Sequence, residues 1–210
     1  MSVIKGLRAA TARSPTTRKA VTVGTLVSTG GLAAGEDVQS VARKLSAVDR
    51  CIEILSDSMA KLPSFVIDNR SRERLSHDIL YLLNVRPNEA MTPFARKKVL
   101  ETSRLEGGNG YDWIIRDPST GLPKELIPVP WQLVQQWHDG AGRIWYDITH
   151  PLTGELMRLA NEDVCHYKNA TRNGLKGIGT LSRAEDVIAA ARAAQQYDAS
   201  YYQNGGQPGG

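Results

Sequence analysis

Residues 105–128 read Leu105-Glu106-Gly107-Gly108-Asn109-Gly110-Tyr111-Asp112-Trp113-Ile114-Ile115-Arg116-Asp117-Pro118-Ser119-Thr120-Gly121-Leu122-Pro123-Lys124-Glu125-Leu126-Ile127-Pro128. The Gly107-Gly108-Asn109-Gly110 run ends a helix, because glycine enters the left-handed backbone region that closes a helix C-terminus without a Cβ clash. An extended segment over 111–116 follows, then a polar turn over 117–121, then a second apolar segment closing at Pro128. Helix, sharp turn and hairpin in one block predict an α+β fold, with helices packed on a mainly antiparallel sheet.

Upstream, Val41, Leu45, Val48, Ile52, Leu55, Met59 and Leu62 recur at alternating spacings of four and three, which lines one face of a helix that stops at Pro63. A coiled-coil seam has the same spacing, but three heptads is the least such a seam needs, so a packed amphipathic helix is the reading adopted. Residues 64–68 read as a short strand, 69–73 as a polar turn and 77–84 as a second helix. Arg86-Pro87-Asn88-Glu89 is a turn, since Pro87 disfavours helix at Arg86 and Asn88 suits turn geometry. Thr92 is the N-cap of a third helix with Pro93 in its first position, and Phe94, Val99, Leu100 and Leu105 supply its apolar positions.

Downstream, strands at 111–116, 126–129, 133–137, 143–148, 156–159 and 164–167 alternate with turn chemistry, which predicts an antiparallel meander. Trp113, Trp131, Trp137 and Trp145 all fall in it, so its packing is the densest in the chain. Gly174, Gly177 and Gly179 then form a loop into an Ala-rich helix over 182–203, with a Gly-rich end over 204–210. The chain divides into a basic arm over 1–37, an α+β region over 38–180 and the Ala-rich helix with its end over 181–210.

The 210 residues carry 26 Lys+Arg against 22 Asp+Glu, a net charge of +4. The excess is concentrated, because Lys5, Arg8, Arg13, Arg18 and Lys19 precede the first acid, Glu36; a flexible basic arm is the reading of that stretch. No apolar run approaches the roughly 20 residues of a membrane-spanning helix. Cys51 and Cys165 stand far apart without a C-x-x-C partner, as buried thiols of a reducing compartment do.

A search for chemistry yields no catalytic residues, no metal site and no cofactor. His77, His138, His150 and His166 lack metal-binding spacing, and Cys165 and His166, adjacent on a strand, point to opposite faces. There is no G-x-S-x-G elbow, and Lys176 is followed by Gly177 where a phosphate-binding loop requires Ser or Thr. Two basic clusters remain, Arg96, Lys97 and Lys98 on the third helix and Lys168, Arg172 and Lys176 near the glycine loop, which would act as a field on phosphates. Val41, Leu45 and Val48 on the first helix, and Leu181, Ala184, Ile188 and Ala191 on the last, are candidates for subunit packing, because each helix shows more apolar or small residues than a free one should.

Taken in order, Val48-Asp49-Arg50-Cys51-Ile52, Leu62-Pro63, Arg86-Pro87-Asn88, Gly108-Asn109-Gly110-Tyr111, Leu126-Ile127-Pro128-Val129, Glu162-Asp163-Val164-Cys165-His166, Gly177-Ile178-Gly179-Thr180-Leu181 and Tyr202-Gln203-Asn204-Gly205 resemble the portal proteins of tailed bacteriophages with HK97-type capsids. The resemblance implies a structural subunit of the portal wing, without enzymatic activity. It also implies a homo-oligomeric ring of twelve at one capsid vertex, with double-stranded DNA in the channel. The implied partners are the terminase large subunit, the major capsid protein and a head-tail adaptor; the implied setting is the virion, and the host cytoplasm during assembly, with no membrane. Portals are about twice as long, so stem and clip elements are expected beyond Gly210. Two other readings compete: a non-ring α+β head adaptor or scaffold, and a capsid maturation enzyme, which would need a nucleophile and base not seen here.

Overall fold

A computed structural model describes residues 42, 43, 45–151, 153–203 and 205. The expected basic arm, Val41 and most of the Gly-rich end lie outside the described residues.

Helix α1 covers Ser46–Ala60, the short strands β1 (Val66–Ile67) and β2 (Arg74–Leu75) form a hairpin, and α2 covers Ile79–Asn84. Helix α3 is Pro93–Gly107, begun as expected: Thr92 Oγ1 accepts a hydrogen bond from the Ala95 N–H at 3.2 Å, with Pro93 in the first turn where no amide partner is needed. Gly108, at φ 81°, closes it in the left-handed region.

Strands β3 (Asn109–Arg116), β4 (Pro123–Val129), β5 (Val134–His138), β6 (Ile144–Thr149), β7 (Leu156–Ala160) and β8 (Val164–Lys168) follow, then α4 (Thr180–Arg183) and α5 (Glu185–Gln203). The six strands were expected as one meander. They form two three-stranded antiparallel sheets instead, β4-β3-β8 and β5-β6-β7. The chain leaves the first sheet after β4, builds the second, and returns so that β8 pairs with the open edge of β3, Asn109 opposite Lys168 and Trp113 opposite Val164. Turn chemistry marks where strands stop, and it carries no record of which edge a later strand will meet.

Two apolar clusters hold this arrangement. In one, Tyr111, Val129 and Val164 of the first sheet meet Tyr146 and Ile148 of the second, with Trp113 and Trp131 against them. The rings of Tyr111 and Tyr146 meet edge-on at 5.7 Å, a favoured aromatic geometry. In the other, Ala42, Leu45 and Ile52 pack with Leu105, Leu181 and Ile188. The stripe on α1 is buried only in its first half: Leu55, Met59 and Leu62 are 53%, 50% and 56% exposed, and Ser56 and Ala60 take the inner positions. A 3.6-residue helix drifts by roughly 20° per heptad from a four-three stripe, so the line turns off the contact. The small side chains of Ser56 and Ala60 then let α3 lie close. Cys51 is also exposed on this helix, contrary to the expected buried thiol, because it falls on the side turned away from α3.

Candidate functional site

The feature to which the most elements converge is a knot where α3, β3, β8 and the loop into α4 meet. Its backbones touch without side chains between them. A Cβ on Gly177 would lie 1.9 Å from the Gly108 carbonyl oxygen, and one on Gly179 would lie 2.1 Å from that of Glu106. The loop is tied down by the Asn169 N–H donating to Gly108 O at 2.9 Å and the Ile178 N–H donating to Ala170 O at 2.7 Å.

Asn109 is the centre of this knot. Its Nδ2 donates to the carbonyls of Gly107 (2.9 Å) and Gly177 (3.1 Å), and its Oδ1 accepts from the Gly177 N–H (2.7 Å) and from His166 Nε2 (2.9 Å). The other ring nitrogen of His166 faces the Tyr146 hydroxyl at 3.3 Å, and the ring stacks on Tyr111 at 4.4 Å. With Nε2 donating, Nδ1 is the acceptor and the neutral tautomer is the one that fits. Burial, with Lys168 and Lys176 nearby, pushes the His166 pKa down to about 4. Both nitrogens are occupied in structural bonds, so His166 has no lone pair left for a base or a metal.

Three residues further along β3, Asp112 is fully buried and paired with Arg96 of α3; Arg96 Nε donates to one carboxylate oxygen at 3.2 Å and Nη2 to the other. Burial pushes the Asp112 carboxyl up, and the guanidinium offsets part of that. Burial likewise pushes the Tyr167 hydroxyl up to about 12 beside this pair. Arg96, expected to face phosphates, is 2% exposed and therefore a core ion pair. The cluster it was to lead is dispersed: Lys98 pairs with Asp57 at 2.7 Å, and Lys97 donates to the Leu62 carbonyl at 2.6 Å. Three consecutive residues on a helix point in three directions, 100° apart, so adjacency in sequence does not make a basic face. Of the second cluster, Lys168 donates to Gly174 O at 2.8 Å, and it, Arg172 and Lys176 are all exposed on the glycine-loop side.

The packing candidates divide in the same way. Leu45, Leu181 and Ile188 are buried within this chain, with Val48 and Ala184 packed against them. Their apolar surface is therefore used in the chain's own core. Ala191 is exposed. Asp112 was not singled out from the sequence, and Asn109 and His166 were named there only within motifs or as a rejected metal ligand; the signal for Asn109 was present in the Gly-Gly-Asn-Gly run, where a polar residue among glycines faces bare backbone.

Residues 46–210 match the family described as Phage portal protein. The chain belongs to that family. Among curated proteins, the portal protein of Enterobacteria phage HK97 is 24% identical over 167 residues, which cover 77% of this portal chain and 38% of that protein. Among solved structures, the neck of an empty gene transfer agent particle, computed with C6 symmetry, is similar at a TM-score of 0.68 and 21% identity, covering 83% of this chain and 49% of that one. The neck of the native particle, computed with C12 symmetry, is similar at 0.62 and 20%. An HK97-family phage portal protein from Corynebacterium diphtheriae is similar at 0.57 and 22%, covering 81% of this chain and 52% of that one. The portal chain thus spans about half the length of these relatives or less, and the fold it shares with them is the α+β arrangement described above.

Proposed function

We propose that this chain is the wing-like part of a portal ring, a structural subunit that surrounds the DNA channel at one capsid vertex during packaging and ejection. The observation that carries the reading is the family match over residues 46–210, running from α1 past the end of α5. The ordering of the site supports a structural role, because the residues with chemical potential are spent on holding elements together: Asn109 and His166 tie the knot, and Arg96 and Asp112 brace helix against sheet. Contacts with terminase, the major capsid protein and a head-tail adaptor belong to the same proposal, as does a virion setting preceded by assembly in the host cytoplasm. For DNA, Lys168, Arg172 and Lys176 carry the proposed phosphate field, Arg96 being unavailable.

The test is molar mass in solution by light scattering after size exclusion, for this chain and for a version extended to the length of its relatives. A ring of about twelve subunits for the extended form supports the proposal. A monomer in both overturns it and favours a non-ring adaptor.

A further inference from the structure

Among the described residues two apolar surfaces lie uncovered, and their shapes are opposite. The first is a groove of about 350 Å³ between the end of α1, α2 and α3, where the apolar Met59, Leu62 and Leu83 stand beside the charged Lys97, Glu101 and Arg104. Its volume falls within the roughly 300–1,000 Å³ of ligand-sized pockets, and its wall mixes apolar with charged side chains. Arg96, Lys98 and Arg104 of α3 each pair with a carboxylate, whereas the ammonium of Lys97 is given only the Leu62 carbonyl.

The second surface is convex. Ile188 and Ala189 are the buried residues of α5, and residues 193–203 are exposed throughout, roughly 16 Å of helix at 1.5 Å per residue. Along α5 Val187, Ala190, Ala194, Tyr197 and Tyr201 recur at spacings of three and four, a packing seam left open among the described residues; Val187 is 71% exposed and Tyr197 67%, and the ring of Tyr201 meets that of Tyr202 edge-on at 5.8 Å. Charge matches shape. Glu185, Asp186 and Asp198 outnumber Arg192 on α5, and of the α3 cations Lys97 is the one with no carboxylate partner among the described residues.

Groove and seam do not meet within one chain, since the tyrosines of α5 are exposed. A surface and its complement at different places on the same molecule make a head-to-tail contact, which closes into a ring when the rotation allows. We infer that the groove between α1 and α3 of one copy receives the tyrosine-bearing end of α5 from the neighbouring copy. The inference rests on the ring reading above. Tyr197 and Tyr201 bring an apolar ring with a polar tip, suited to a groove whose floor is aliphatic and whose rim is charged. The thioether of Met59 adds a favourable contact to an aromatic ring. Asp198, beside Tyr197, supplies the carboxylate that Lys97 lacks.

The test is disulfide cross-linking in a Cys51→Ser background, with light scattering on the same samples. Leu62→Cys and Tyr201→Cys are both at exposed positions, so neither disturbs the core. The expected result is a cross-linked dimer when the two single variants are mixed, absent from either alone, and a ladder of multiples when one chain carries both cysteines. Lys97→Glu or Asp198→Lys alone should lower the yield roughly threefold to fivefold, and the two together should restore it. Oligomers by light scattering without the mixed cross-link overturn the inference and leave the ring reading standing. Monomers without cross-link, in this chain and in its extended form, overturn both.

Discussion

Replacing Asn109 by alanine removes the one side chain that serves four elements at once. The amide makes four hydrogen bonds at 2.7–3.1 Å, to Gly107 O, Gly177 O, Gly177 N–H and His166 Nε2. At a net value of about 1 kcal/mol for each, the sum is about 4 kcal/mol. The partners left behind are worse off than the mean, because Gly177 is buried and alanine offers its N–H and carbonyl nothing. Water reaching the exposed side of the loop recovers part of this, which brings the expected loss to about 3 kcal/mol. With a urea m-value of about 2 kcal/mol/M for a chain of this size, the unfolding midpoint should fall by roughly 1.5 M at unchanged m. Amide exchange at residues 169–179 should accelerate more than exchange in β5-β6-β7, since the second sheet makes none of these bonds. A midpoint shift below about 0.5 M, with exchange of the Gly177 amide unchanged, would refute the reasoning: the loop would then be held by glycine packing alone, and Asn109 would be incidental.

Three further outcomes follow from the same contacts. Asp112→Ala strands the Arg96 guanidinium in the core and should cost about 3–5 kcal/mol in chemical denaturation, whereas Asp112→Val combined with Arg96→Met should recover most of that loss. Gly177→Ala places a methyl group against the Gly108 carbonyl, so the glycine loop must move off the junction of α3 and β3; the check is loss of protection at the Asn169 and Ile178 amides, with the second sheet unaffected. His166 is neutral when folded, with a pKa of about 4 against an ordinary 6.5, so the unfolded chain binds the extra proton first as pH falls. Its stabilising contribution is full above about pH 6.5 and is lost towards pH 4. His166→Gln should flatten the stability profile in that window, and an unchanged slope would count against the buried, neutral ring.

Much of the architecture was legible before any coordinates, where local chemistry decides it. Thr92-Pro93 and Gly107-Gly108 mark both ends of α3 because caps and left-handed glycine are properties of a few adjacent residues. The polar turn over 117–121 placed β3 and β4 for the same reason. The pairing of β8 with β3 was not legible, since hydrogen bonds between Asn109 and Lys168 leave no trace in either neighbourhood. Burial was half legible: a four-three stripe on α1 identifies a face, but only the position of α3 decides that Ser56 and Ala60 go inward and Leu55 and Met59 do not. Arg96 shows the sharpest failure. A basic triplet looks like surface until an Asp on a neighbouring strand is placed beside it.

The return of β8 to β3 sets an order on events during synthesis. Strand β3 emerges early and can pair with β4 at once, but its other edge stays unpaired until residues 164–168 have followed the whole second sheet out of the ribosome. Closing that long excursion makes it the pairing of highest sequence separation in the molecule's sheets, and such contacts form late. Throughout the wait, Tyr111, Trp113 and Ile115 lie on a strand with one open edge, the kind of template on which chains join one another. The second sheet, built from consecutive strands, needs no such delay. Correct first-sheet closure therefore competes with aggregation on every newly made copy, and lower temperature should raise the soluble yield by weakening the apolar association that competes with the returning strand.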